Sequence, residues 1–200
     1  MVRIADEVRP ANLLDSVIGY LVANGVAELS LRPLAKAVGS SPRVLLYYFG
    51  SKETMLVRAL TRLRERQCGA LKGLREARYE RASDACRAIW EQMSSPQSEK
   101  LFTFFFETYA LALRNPRRFG DFLKNAVEDW LEFVAEPLVQ RGLNRAEARA
   151  FATIVIAGFR GFMLDYCASR DRERVDRAVD LWLDSLDTIS TKLKEVSHAG

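Results

Sequence analysis

The sequence predicts an all-α protein of about nine helices, and three observations carry that expectation. Apolar residues recur at steps of three and four along almost the whole chain. No long apolar–polar alternation and no Asn-Gly or Asp-Gly hairpin turn occurs. Glycine, proline and small hydroxyl residues stand where the periodic stretches stop. With 200 residues, 48% of them hydrophobic and 28% charged, the chain is long enough to bury a sizeable core.

Taken in order, Pro10 precedes Leu13, Leu14, Val17, Ile18, Leu21 and Val22, and Gly25 stands where a helix ends in the left-handed conformation. Ser30 is placed to cap a short helix to Val38, with Pro33 in its first turn, where a missing N–H costs little. Gly39 stops it. Ser41-Pro42 starts another short helix to Phe49, Gly50 breaks it, and Ser51 caps a longer one carrying Met55, Leu56, Ala59, Leu60 and Leu63. A helix from Ser83 to Met93 closes at Ser94-Ser95-Pro96. The next, Ser98 to Arg114, is apolar on nearly every side, as a core helix is. One continuous helix is expected from Arg118 to Gln140, bearing Phe119, Leu123, Val127, Trp130 and Val134, with Pro137 near its end. Asn144 and Glu147 form a capping pair for the helix that carries Phe151, Val155, Gly158 and Phe162. The last helix shows Val175, Val179, Trp182, Leu186, Ile189 and Leu193.

Several function classes are excluded or disfavoured. No run of about 18 apolar residues occurs, so no membrane span is expected. The acidic N-terminus lacks the apolar core of a signal peptide. Cys68, Cys86 and Cys167 are few and far apart, which argues against a disulfide scaffold or thiolate metal site and fits a reducing cytoplasm. A redox switch between Cys68 and Cys167 has no nearby group to lower a thiol pKa. The single histidine, His198, leaves the body of the chain without an imidazole for a triad or zinc site. No cofactor is expected. An enzyme would have to use carboxylates such as Glu107, Glu128 and Asp165, and none is expected here.

Charge is uneven. From Leu29 to Arg66 there are eight bases (Arg32, Lys36, Arg43, Lys52, Arg58, Arg62, Arg64, Arg66) against two acids, whereas the rest of the chain holds 22 bases and 24 acids. Such a segment suits a nucleic-acid contact surface; on charge alone, a solvated Arg-rich helix face suits it equally. Local pattern decides. Two short helices about a tight turn at Gly39 have the proportions of a helix-turn-helix, with Leu34, Ala35 and Val38 facing inward from the first and Val44, Leu45 and Tyr48 from the second. The second helix would lie in the major groove of double-stranded DNA, with Ser40, Ser41, Pro42 and Arg43 at its leading end. Arg43 can contact guanine with two hydrogen bonds. Ser30, Ser41, Tyr47 and Lys52 suit phosphate oxygens, and Arg32 completes the contact set.

This segment resembles the N-terminal domain of the TetR family of transcriptional regulators. The resemblance rests on Ser30, Leu34-Ala35, Val38-Gly39-Ser40-Ser41, Leu45-Leu46-Tyr47-Tyr48-Phe49 and Ser51-Lys52-Glu53, and covers roughly residues 10–60. Leu46 stands where the family commonly has tyrosine, Ser40 where it has valine, and Pro42-Arg43 is a particular start to the recognition helix. The resemblance implies a DNA-binding domain over residues 1–55 and an effector-binding and dimerisation domain over residues 56–200. It implies a homodimeric, cytoplasmic regulator, a repressor, that binds a palindromic operator and is released by a small apolar or aromatic effector. The alternative is an interaction protein of the same fold that uses DNA as a scaffold without effector-controlled release.

Two further sites follow from the resemblance. The Phe151, Val155, Gly158, Phe162 face and the Val175, Val179, Trp182, Leu186, Ile189 stripe are expected at the dimer interface, although as stripes alone they suit burial within one chain. An effector pocket would draw on Phe102, Phe105, Phe106, Glu107, Tyr109, Trp130, Phe133 and Phe162, with Glu107 facing a cationic or hydroxylated ligand or solvent. An aromatic stripe at helical spacing is also what a plain core looks like.

Overall fold

The computed structural model describes residues 10–76, 79, 81–120 and 122–198; residues 1–9, to which the expectation about a signal peptide applies, and the His198 side chain lie outside the described residues. The described residues form ten helices and no strand: α1 (Pro10–Asn24), α2 (Leu31–Ala37), α3 (Pro42–Phe49), α4 (Lys52–Glu76), α5 (Ala82–Met93), α6 (Pro96–Arg114), α7 (Pro116–Phe119), α8 (Phe122–Gln140), α9 (Arg145–Ser169) and α10 (Arg172–His198). The tenth arises where one continuous helix was expected from Arg118. Gly120 adopts φ +52°, a left-handed conformation no helix interior tolerates, and cuts the short α7 from α8. Pro137, by contrast, is carried inside α8.

The helices fall into two compact units, Met1–Arg66 with Thr103–Phe122, and Gln67–Phe102 with Leu123–Gly200. The first unit includes the start of α4, where Met55, Leu56, Ala59 and Leu60 are buried. They join Leu13, Val17, Ile18 and Leu21 of α1, Leu34 and Ala35 of α2, and Leu45 and Phe49 of α3, all buried. Phe104, Thr108, Ala112 and Phe119 are buried too. The Thr108 hydroxyl is satisfied inside its own helix by the Phe104 carbonyl at 2.9 Å, so burying it leaves no donor unpaired.

In the second unit α10 packs against α5 and α9. Its polar edge is bonded to α5 in antiparallel order. Ser83 donates its N–H and hydroxyl to Asp187 at 2.9 and 2.6 Å, Arg87 pairs with Asp180, Trp90 Nε1 donates to Asp176 at 2.8 Å, and Arg172 donates to the Ser94 carbonyl at 2.6 Å. Its apolar edge buries Val175, Val179, Leu183 and Leu186. The α9 helix buries Phe151, Val155, Phe159 and Met163, while its Ala148 and Ala152 cluster with Leu131, Ala135 and Leu143. Although no unbroken apolar run occurs, an 18-residue window of α9 reaches a mean hydropathy of 1.4, long and apolar enough to cross a membrane by composition; a core helix passes the same test.

No disulfide joins Cys68, Cys86 and Cys167. Burial pushes the Cys86 thiol up to about 12, so its thiolate fraction at pH 8 is about one part in ten thousand. Titration of the folded protein with a disulfide reagent at pH 8 is therefore expected to leave Cys86 unmodified until denaturant is added. Rapid modification of all three thiols without denaturant would contradict its burial.

Candidate nucleic-acid interface

The helix-turn-helix is made by local chemistry. The α2 helix ends with Gly39 at φ +65°, and the Ser40 N–H reaches back to the Ala35 carbonyl at 2.8 Å, while the Gly39 N–H reaches Lys36 at 3.3 Å. This six-to-one and five-to-two pair is the Schellman closure, which needs a residue without Cβ strain. Ser41 then sits at the α3 N-cap, its Oγ accepting from the Val44 N–H at 3.2 Å, with Pro42 in the first turn. Gly50, at φ +77°, ends α3, and Ser51 Oγ caps α4 by accepting from the Thr54 N–H at 3.0 Å. Ser30 holds the α2 N-cap position, but its side chain makes no capping bond.

Leu45 and Phe49 lock one face of α3 into the core, which turns the opposite face outward. Arg43 is exposed there and makes no hydrogen bond or ion pair among the described residues; Tyr47 is 84% exposed. Tyr47 is braced edge-on by the Tyr48 ring at 5.4 Å. Val44 and Tyr48, expected to face inward, are 40% and 37% exposed, because one short helix cannot bury both sides. Ser41 and Arg32 are exposed, and Ser40 and Pro42 half-buried.

Lys52 is not simply a solvent-facing phosphate hook: its ammonium donates to the Leu29 carbonyl at 2.8 Å. Two of its three N–H groups remain beyond that bond. Arg58, which sequence reasoning left as one more charge, donates to the Tyr48 carbonyl at 2.8 Å and lies 6.0 Å from the Phe49 ring centroid. It anchors the end of α3. Arg66 pairs with Asp15 at 2.6 Å, with Arg62 at 3.8 Å from the same oxygen. No acid lies between Leu29 and Phe49, so the cationic character concentrates on Arg32, Lys36 and Arg43.

The remaining expected residues separate between the two units. Phe102, Trp130, Phe133 and Phe162 belong to the second; Phe105, Phe106, Glu107 and Tyr109 belong to the first. Phe102 is buried and the other seven are half-buried. One Glu107 oxygen accepts from the Val26 N–H at 2.7 Å, which ties α6 to the turn after α1. A Cβ built on Gly25, at φ +72°, would lie 2.8 Å from that same oxygen, so the close approach requires glycine. The signal for this pairing spans 81 residues and no local pattern could have found it. Phe162 packs with Trp90 and Trp182, at 6.2 and 5.4 Å between ring centroids, and Trp130 pairs with Phe133 at 5.6 Å.

The expected dimer stripes are largely occupied by their own chain. Phe151, Val155, Val175, Val179 and Leu186 are at most 3% exposed, so they are core and have no surface to offer a partner. Gly158 is covered by the Trp182 ring: a Cβ there would meet Trp182 Cζ2 at 2.4 Å. Phe162, Trp182 and Ile189 are half-buried. The three carboxylates weighed for catalysis are also engaged. Glu107 holds Val26, Glu128 pairs with Arg149 at 2.8 Å, and Asp165 takes two bonds from Arg174, which hold its carboxyl below the ordinary range.

Comparison with known proteins agrees with this geometry. Residues 14–59 match the family model described as bacterial regulatory proteins, tetR family. The HTH-type nicotine-responsive transcriptional repressor HdnoR of Paenarthrobacter nicotinovorans is 26% identical over 192 residues, covering 91% of this chain and 97% of that protein. A transcriptional regulator from Rhodococcus sp. Rha1 superposes with a TM-score of 0.72 at 19% identity, covering 88% of this chain and 95% of the other. The multidrug binding protein EbrR complexed with ethidium superposes with a TM-score of 0.68 at 20% identity, covering 90% and 99%.

Proposed function

We propose that the chain is a DNA-binding transcriptional regulator of the TetR family, not an enzyme, and that it acts as a cytoplasmic repressor. In this reading it binds a palindromic operator as a homodimer and is released by a small aromatic or apolar effector. The observation that carries the reading is the outward face of α3, with an uncommitted Arg43 on a helix fixed by Leu45, Phe49 and the Ser41 cap. In the major groove Arg43 specifies a guanine from the leading end of α3, where Ser40, Ser41 and Pro42 also stand, while Ser30, Ser41, Tyr47 and Lys52 set register on the phosphates and Arg32 completes the contact set. A repressor is favoured because the relative HdnoR is named as one.

An aromatic effector is supported by the names of two similar proteins, one nicotine-responsive and one complexed with ethidium. Within the second unit, the half-buried aromatic side chains Trp130, Phe133 and Phe162 and the buried Phe102 suit the same class. Glu107 serves as an anchor for the Val26 turn. Effector binding favours a state whose two recognition helices no longer match the half-site spacing, and DNA affinity falls reciprocally.

For the dimer, the side of α9 left open by core packing is the better surface. Ala150, Ile154, Ala157, Gly161, Leu164 and Ala168 recur at steps of four and three, and all six are exposed. On α10, Leu181 is 75% exposed. Small residues permit close helix approach, and the leucines supply apolar area. Leu181→Arg is expected to yield a monomer by sedimentation with unchanged helicity. Binding to a palindrome should weaken roughly 100-fold or more as the second half-site contact is lost. A variant that stays dimeric would move the interface elsewhere.

The test of the whole reading is anisotropy of fragments flanking the protein's own gene, beside random DNA, across several salt concentrations. Tight fragment-specific binding, relieved by an aromatic ligand, is expected. Equal and steeply salt-dependent binding to every fragment would favour a scaffolding protein of the same fold.

A further inference from the structure

The outward face of α3 carries more chemistry than its one arginine. Successive residues of a helix are about 100° apart. Leu45 and Phe49, 1% and 5% exposed, therefore set the inward direction, and Tyr47 lies opposite their midpoint with Arg43 on one side and Val44 on the other. Val44 is in the first turn, the part of a recognition helix that reaches base edges, and its branched side chain is 40% exposed. Its backbone N–H is held by Ser41 Oγ at 3.2 Å, which fixes where that side chain starts.

We propose that Val44 is a specificity-determining residue that packs on the 5-methyl group of a thymine next to the guanine taken by Arg43. The inference rests on the regulator reading and deepens it. The major-groove edges of adenine, guanine and cytosine present hydrogen-bonding groups, and thymine alone adds a methyl group. An isopropyl group against a donor or acceptor strips it of water and returns nothing, whereas against the methyl it buries apolar area at no polar cost. Val44 thus selects thymine both by contact and by exclusion. Arg43 and Tyr47 beside it carry hydrogen-bonding groups; Val44 has none.

The test begins with the full-length protein and an operator selected by it from a pool of random duplexes. Each thymine of a half-site is then replaced singly by deoxyuridine, which removes only the methyl group, and affinity is measured by anisotropy at fixed salt. One replacement is expected to weaken wild-type binding about fourfold per half-site, the worth of one buried methyl. Val44→Ala, an exposed position where alanine suits a helix, should bind the intact operator correspondingly less tightly and be indifferent to that same replacement. The assignment is overturned if no thymine in the half-site matters to the wild type, if the half-site holds no thymine, or if Val44→Ala keeps the full sensitivity. A pool from which no sequence is enriched overturns the regulator reading itself, a result distinct from an enriched operator indifferent to deoxyuridine.

Discussion

Arg43→Ala is expected to abolish the preference for one base pair in each half-site while leaving the fold intact. One arginine–guanine pair is worth about 1–3 kcal/mol of discrimination, and the proposed dimer would make two, so the expected loss is roughly 2–6 kcal/mol against the cognate operator. The loss should vanish on a fragment already mutated at that base pair. The guanidinium is exposed and without an internal partner among the described residues, so its removal leaves nothing buried and unpaired. Arg43→Lys separates geometry from charge: lysine retains the cation but not the planar fork, so discrimination should fall while binding to random DNA stays near the wild-type value. If Arg43→Ala kept every base preference and lost only affinity, Arg43 would be a phosphate contact and another residue would read the base.

Gly158→Ala is expected to destabilise the protein by about 1–3 kcal/mol, a large effect for one methyl group. The added Cβ would lie 2.4 Å from Trp182 Cζ2 and 2.6 Å from Cε2, distances no real contact reaches, so the indole must move. It has little room, because the Phe159 and Phe162 rings already stand edge-on to it at 5.2 and 5.4 Å. Trp182→Ala removes the obstruction along with its own packing. Gly158→Ala on that background should then cost almost nothing, and alanine's better helix propensity makes a small gain the expected sign. Urea unfolding of the four proteins gives the coupling energy. Additive losses would mean that the close approach is not what makes glycine necessary at 158.

The reading end of the molecule was legible in the sequence because its determinants are local. Gly39, Ser41, Pro42 and Gly50 each act within four residues of where they stand, so composition and spacing alone place α2 and α3. Gly120 was misread because the apolar period continues from Phe119 to Leu123 across it, and only its positive φ reveals the break. The stripes of α9 and α10 show a different limit. Periodicity marks a buried face, but that face looks the same whether its partner is the same chain or a second copy; in this chain Val179 is 0% exposed and the Trp182 ring lies over Gly158. Contacts between distant charged groups and backbone, such as Glu107 on Val26 and Lys52 on Leu29, leave no periodic trace at all.

The chain passes between its two units at Arg66–Gln67 and Phe102–Thr103, which lie inside α4 and α6, and at Phe122–Leu123, the first residues of α8. Exchanging reading heads among regulators of this architecture therefore offers no loop at the first two crossings. A chimera joined within α4 inherits helical phase: one inserted residue rotates everything beyond it by about 100° and advances it by about 1.5 Å, whereas seven restore the phase to within roughly 20°. A graft that preserves residue count across all three junctions keeps the phase of each spliced helix, and frameshifts of a single residue set the scale of error that such engineering must avoid.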